Sequence, residues 1–362
     1  VGAEALSRWQ RPDQGLLAPV ECLPPIAQHP LEVELGRWVI DTALTQIAAW
    51  QDAGVDLPVS VNISGFHLQQ AGFLDELRAL LAAHPNVPRG YLELEVLESS
   101  ALEDIALVSA VIDASATLGV SFALDDFGTG YSSLTYLKRL PAQVLKIDQS
   151  FVRDMLQDSD DLAILEGILG LATAFRRTAI AEGVETVAHG ETLLRLGCDL
   201  GQGYGIARPM AAADLPAWRQ RWRPDPRWAH AHCLDRELMP VLIAGVEHRG
   251  WIVALGEHLD GRRDAPPPLD HHQCRFGQWL DKTIHQPRHA ATFATIETLH
   301  LRVHALAADL LKRRSQGHDV EALAGMAELH ALWDALLVHL EYLLKDDPRS
   351  LAPSSGGGSN CR

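Results

Sequence analysis

Carboxylate and amide side chains recur at the ends of apolar runs through the first part of this chain. The runs are VGAEALSRW, PVSVNIS, YLELEVLES, VSFALDDFGTGYSS, AQVLKID, TAIAEGVE and CDLGQGYG. Their polar endings are, in order, Glu4, Asn62, Glu95 with Glu98, Asp125 with Asp126, Lys146, Glu182 with Glu185, and Gln202. Like charges gathered at short range repel, so these acids share one site only around cations. Carboxylate and amide oxygens suit Mg²⁺ or Mn²⁺ rather than zinc. The adjacent Asp125 and Asp126 invite a two-metal site, one bridging and the other completing the second ion's shell. Two ions flanking a phosphate activate water and stabilise a leaving oxygen. Lys146 then orients the attacking water or neutralises developing charge, and Glu182 is the candidate general base. The glycine-containing stretch after Asp126 is able to move over the site.

A second constellation lies downstream: His248, Cys274, His300 and His304. His300 and His304 are four residues apart, which places both imidazoles on one helical face. One thiolate and three imidazoles make a closed tetrahedral Zn²⁺ site with no open position for chemistry. A di-iron bundle is the alternative. It would recruit His330, His339 and Glu341, and Cys274 argues against it. His29, His67, His84, His189, His258, His271, His272, His285, His289 and His318 match no motif and read as surface or helix-end residues. Cys22 and Cys198 read as small buried residues.

Elements must carry these groups to common places. Stretches of helical periodicity separate the seven runs: LEVELGRWVIDTALTQIAAWQDAG, FLDELRALLAAHP, ALVSAVIDASATLG, LAILEGILGLATAF and ETLLRLG. Alternating strands and helices build parallel βα units, whose strand C-termini meet at one mouth. Seven units nearly complete an eight-stranded barrel. The expected fold is therefore α/β, a TIM-like (β/α)8 barrel lacking its first strand in this chain, followed by an all-α bundle. A doubly wound open sheet is the runner-up architecture. The prolines of RPDPRW mark a boundary. Expected segments are a barrel over 1–222, a linker over 223–240, a helical bundle of four or five helices over 241–346 and a disordered tail over 347–362.

The chain has 362 residues, with 31 Lys and Arg against 47 Asp and Glu and a net charge of −16. Duplex nucleic acid is disfavoured, because no basic field replaces phosphate counterions. A small phosphorylated ligand bridged by metals stays open. Five scattered cysteines suit a reducing compartment, and no apolar run approaches a membrane span, so a cytoplasmic location is expected.

Residues 1–222 resemble the EAL domain of cyclic di-GMP phosphodiesterases. The resemblance rests on Glu4-Ala5-Leu6 with Arg8-Trp9, Val61-Asn62-Ile63-Ser64, Glu95-Val96-Leu97-Glu98, Asp125-Asp126-Phe127-Gly128-Thr129-Gly130, Leu145-Lys146-Ile147-Asp148, Ala181-Glu182-Gly183-Val184-Glu185 and Gln202-Gly203-Tyr204. It implies metal ligation by Glu4, Asn62, Glu95 and Asp125, with Asp126 on the second ion. Lys146 and Glu182 would activate water. Arg8, Leu6 and Gln202 would contact substrate. Glu98 and Glu185 would support the loop. It also implies hydrolysis of cyclic di-GMP to linear pGpG, or, in the alternative, an inactive receptor of that nucleotide with a zinc-sensing output domain. Leu97 and Gln28 depart from the family's usual threonine and glutamate.

The residues around 241–346 resemble the chemoreceptor zinc-binding domain. The pattern is His248 with Trp251, Cys274 with Phe276 and Gly277, and His300 with His304. That resemblance implies one Zn²⁺, zinc sensing with possible redox chemistry at the cysteine, and a homodimer.

Overall fold

The computed structural model of the chain describes residues 2–130, 134–235, 237–283 and 290–345. The expected tail over 347–362 lies outside them, as do His285, His289 and part of the loop after Asp126. The chain forms two compact units. The first comprises Val1–Ser150, Gly167–Thr186 and Leu200–Asp225. The second comprises Phe151–Glu166, Val187–Asp199 and Pro226–Arg362.

The strands in chain order are β1 (Ala3–Ala5), β2 (Trp9–Arg11), β3 (Gly15–Leu17), β4 (Val59–Asn62), β5 (Leu92–Leu97), β6 (Ser121–Phe127), β7 (Val144–Ile147) and β8 (Thr178–Ala181). Six of them make one parallel sheet in the order β1-β4-β5-β6-β7-β8. That order follows the chain without reversal, which rules out the doubly wound runner-up, whose order reverses at a switch point. Helices alternate with the strands, giving a curled half-barrel of βα units. β7 is buried along its whole length, and β5 and β6 nearly so, as expected of strands covered on both faces.

Two of the seven expected strands differ. VGAEALSRW splits: Ala3–Ala5 joins the sheet, while Trp9–Arg11 turns back against Gly15–Leu17 as an antiparallel hairpin. Gly15, at φ 77°, supplies a backbone conformation that suits glycine. CDLGQGYG is no strand. It contributes one parallel bridge, Gly201 to Ala181, where its glycines leave few side chains to pack on a pleat.

The helices follow the periodic stretches. The longest barrel helix, Pro30–Asp52, starts with proline at its first turn and is capped by the His29 side chain, which accepts from the Leu31 N–H at 3.2 Å. It buries Ile40, Leu44, Ile47 and Trp50 on one face. Ile105–Leu118 closes on Gly119 at φ 89°.

Among its described residues the second unit carries five helices downstream of residue 238: Met239–Leu259, Arg275–Thr283, Ala290–Ser315, Asp319–Ala324 and Met326–Lys345. Among the described residues none of that region is strand. Ile296, Val303, Ala307, Leu310, Leu329 and Leu336 form its core. Within this unit Trp228 donates to the Val187 carbonyl at 2.8 Å, and the Leu234 N–H donates to the Arg195 carbonyl at 2.9 Å.

Candidate active site and metal centre

The strand register brings the predicted acids of the first unit together. Asn62 pairs with Glu95 across β4 and β5, and Leu97 pairs with Asp125 across β5 and β6. Between Leu124 and Phe127 the register of β6 against β7 shifts, and Asp126 takes φ 53°. The irregularity turns consecutive aspartates toward the same end of the sheet, a use of bulges common beside functional sites.

At the centre is Lys146, only 2% exposed. Its Nζ lies 2.6 Å from Glu182 Oε1, 2.7 Å from Glu95 Oε2, 3.1 Å from Asp125 Oδ1 and 3.4 Å from Glu4 Oε2. Asn62 Nδ2 donates to Glu4 Oε1 at 2.7 Å and Gln202 Nε2 to Glu4 Oε2 at 2.6 Å. Burial alone would strip the lysine of its proton, but the charges of Glu95, Glu4, Glu182 and Asp125 hold it well above the ordinary lysine range.

Burial pushes Glu95 up to about 8, against the pull of Lys146. Burial likewise lifts Glu182 to about 7. Asp126 rises to about 6 through burial and the neighbouring charges of Asp125 and Asp148. For Glu4 burial works upward, yet Lys146 and the hydrogen bonds from Gln202 and Asn62 outweigh it, so its pKa falls. Carboxyls spread this way mark a site short of positive charge.

The donor set fits hard divalent cations. Carboxylate oxygens of Asp125, Asp126 and Glu182 lie within 4.8 Å of one another. Asp125 Oδ1 is buried and faces the Lys146 ammonium at 3.1 Å with no further hydrogen bond. Oxygen donors alone, convergent and under-satisfied, suit Mg²⁺ or Mn²⁺.

Glu98 is buried behind the loop. Its Oε2 accepts from the Gly128 N–H at 2.9 Å, and a Cβ on Gly130 would come within 2.6 Å of its Oε1. Leu6 and Arg8 are exposed, and Arg8 Nη1 donates to the Ser7 carbonyl at 2.7 Å. Gln202, expected at substrate, spends its amide on Glu4. Glu185 is exposed.

Residues 1–209 match the EAL domain family. The chain belongs to the EAL-domain family. Its EAL domain is 44% identical over 218 residues to the bifunctional diguanylate cyclase/cyclic di-GMP phosphodiesterase MucR of Pseudomonas aeruginosa, covering 60% of this chain and 32% of that protein. It is 37% identical over 219 residues to the cyclic di-GMP phosphodiesterase PdeR of Escherichia coli, covering 60% and 33%. The chain thus spans about a third of the length of these curated relatives. Among solved structures, the EAL domain superimposes on the MucR phosphodiesterase of P. aeruginosa in complex with c-di-GMP. The TM-score is 0.56 at 43% identity, over 59% of this chain and 86% of that one.

Residues 248–311 match the chemoreceptor zinc-binding domain. Helix Met239–Leu259 presents His248, the start of Arg275–Thr283 follows Cys274, and Ala290–Ser315 presents His300 and His304. His248 Nε2 lies 3.1 Å from His300 Nε2, and Cys274 Sγ lies 3.4 Å from His300 Nε2 and 3.9 Å from His248 Nε2. Two of the other nitrogens are fixed by carbonyls: His248 Nδ1 on Ala244 at 3.1 Å and His304 Nδ1 on Leu269 at 2.8 Å. That leaves Nε2 of His304 buried with no partner. Four soft or borderline donors, two of the imidazoles already held by carbonyls, fit Zn²⁺. Burial pushes His248 down to about 4 and His300 down to about 2, so both are neutral, as ligation requires.

Trp333 had no motif, whereas Trp251 and Gly277 belong to the pattern that the sequence already displayed. Trp333, 4% exposed, stacks on His248 at 5.3 Å between centroids. Trp251 packs on His304 at 4.9 Å. Gly277 is obligatory, since a Cβ there would strike the His271 carbonyl, and its N–H donates to Cys274 Sγ at 3.2 Å. His330, a candidate for the di-iron alternative, is exposed, and it lies outside the cluster, as do His339 and Glu341.

Two histidines expected at the surface or at helix ends do lie near helix ends, yet are buried. His67 is 1% exposed and bonds Glu76 at 2.8 Å, and His189 is 6% exposed. Each lies on the inner face of a short helix, a position that needs tertiary packing to recognise. Cys198 is buried as expected, whereas Cys22 is only half-buried.

Proposed function

We propose that this chain hydrolyses cyclic di-GMP to linear pGpG by a two-metal mechanism in its EAL domain. The observation that carries the reading is the convergence of Glu4, Glu95, Asp125 and Glu182 on Lys146, in a chain whose relatives are named cyclic di-GMP phosphodiesterases. Glu4, Asn62, Glu95 and Asp125 would hold one Mg²⁺ or Mn²⁺, with Asp126 on the other. When bound, such a pair supplies Lewis-acid polarisation of the phosphodiester and activation of water. Glu182, titrating near neutrality, accepts the proton of the attacking water. Lys146 fixes the Glu182 oxygen and offsets negative charge as it develops. Glu98 restrains the Gly128 backbone, so that Asp125 and Asp126 keep their aim. Arg8 and Leu6, exposed beside Glu4, are available to the nucleotide.

The proposed partition is a barrel over 1–222, a linker over 223–240 and a bundle over 241–346. His248, Cys274, His300 and His304 would bind one Zn²⁺. Zinc occupancy would then tune turnover, and a homodimer and a cytoplasmic setting complete the reading. No helix among the described residues is long and apolar enough to cross a membrane.

The test is Glu182→Gln. Turnover falls about 10²- to 10⁴-fold with nucleotide binding retained. A parent chain that binds the nucleotide and never cuts it would instead establish a receptor. For regulation, turnover of zinc-loaded and zinc-stripped chain is compared, with Cys274→Ala as control. Equal rates remove the regulatory claim.

A further inference from the structure

The four convergent donors of the second unit are not sealed on every side. A cavity of about 380 Å³ opens beside them, and its wall includes His248, Cys274 and His304 but not His300. At roughly 30 Å³ per water, that is room for an ion still carrying its first hydration shell. The remaining wall is chemically mixed. Trp251 and Pro268 contribute apolar surface, Ser159 and Gln273 neutral polar groups, and Glu247 and Asp270 two carboxylates.

We propose that this cavity is the loading port of the zinc site, with Glu247 and Asp270 drawing hydrated Zn²⁺ in and replacing part of its water before Cys274 and His304 take it. The inference rests on the reading that these four side chains bind zinc, and it adds how the ion arrives and leaves.

Two independent observations support it. First, His304 is only 4% exposed, its Nε2 has no hydrogen-bond partner, and it forms part of the cavity wall. Its ring is held from behind by the Leu269 carbonyl at 2.8 Å and from the side by Trp251, itself tethered to the Pro268 carbonyl at 2.7 Å. The free lone pair is thus pre-aimed at whatever enters. Second, the cavity gives direct access to Cys274 Sγ, whose thiol is pinned by the Gly277 N–H at 3.2 Å and donates to the His271 carbonyl at 3.2 Å. On binding, the thiol proton goes to solvent as the Zn–S bond forms, and the ion's waters leave through the port.

His300, at 1% exposure, takes no part in the cavity wall. Asp270 stands at the exposed end, its carboxylate held by the His272 N–H at 3.0 Å and Gln273 Nε2 at 2.9 Å. Glu247 is half-buried, one residue before His248. An exposed and a half-buried carboxylate suit stepwise replacement of the ion's water oxygens ahead of the softer ligands.

The experiment uses the full chain, Zn²⁺ alone as probe and a chromophoric chelator to follow both directions. Glu247→Gln and Asp270→Asn are made singly and together, and zinc stoichiometry is read beside the rates. The expected result is zinc uptake slowed about tenfold in the double variant, with most of its dependence on ionic strength lost, and release no faster than in the parent. Asp270→Asn alone, which keeps an acceptor for the His272 N–H and gives up the one for Gln273 Nε2, slows uptake in the same direction. Unchanged uptake overturns the port, as does unchanged uptake with faster release, which would make the carboxylates mere stabilisers of the bound ion. A parent chain that takes up no zinc sinks the metal-binding reading itself, and the two failures are distinguishable.

Discussion

Lys146 and Glu182 meet through a 2.6 Å ion pair in which the lysine is almost wholly buried. The same ammonium also serves Glu95 at 2.7 Å. One fixed cation thus balances acids from three other strands and the Glu182 loop. Removing it leaves buried carboxylates facing each other. Lys146→Met is expected to destabilise the metal-free chain by about 3 kcal/mol, read by chemical denaturation, and to lower turnover at least about 10²-fold. Added Mn²⁺ should restore part of the stability and little of the turnover.

Metal binding at this site should release protons. Glu95 at about 8 and Glu182 at about 7 both carry protons through much of the neutral range. A cation must displace them, so apparent Mn²⁺ affinity falls as pH drops through 8 and 7 and levels off above. Titration calorimetry in two buffers of different ionisation enthalpy should give a positive proton release at pH 7. None at that pH contradicts the assigned protonation.

Glu98 acts at a distance from the acids, through the Gly128 N–H it accepts at 2.9 Å. Glu98→Ala should leave metal binding within a few-fold while lowering turnover about tenfold, from loosened positioning of Asp125 and Asp126. Hydrogen exchange at Gly128 should quicken in the same variant.

In the second unit, Gly277→Ala puts a Cβ against the His271 carbonyl and must shift the Cys274 turn. Zinc affinity should fall about 10- to 100-fold, the usual effect of disturbing atoms that hold a ligand. Affinity equal to the parent would mean that the turn is not what aims Cys274.

Much of the site was legible because strand-end position and side-chain type are both local properties. Glu95, Asp125, Lys146 and Glu182 follow from runs whose period and polar endings stand in the sequence, and His300 with His304 from a four-residue spacing. What escaped depends on partners distant in the chain. Trp333 reaches His248 from another helix, and the Ala244 and Leu269 carbonyls that orient two imidazoles carry no sequence signal. Burial of His67 is invisible without Gly36, whose missing Cβ makes the space the ring fills. The break in VGAEALSRW was missed because apolar composition continues across it, while Gly15 turns the chain back six residues after Trp9.

The most direct measurement of the central claim is incubation of the parent chain with cyclic di-GMP and Mg²⁺ or Mn²⁺, with separation of the products. The account predicts pGpG accumulating through many turnovers per chain and none once the ions are chelated. Nucleotide recovered intact from a folded, metal-loaded chain that binds it would contradict the account.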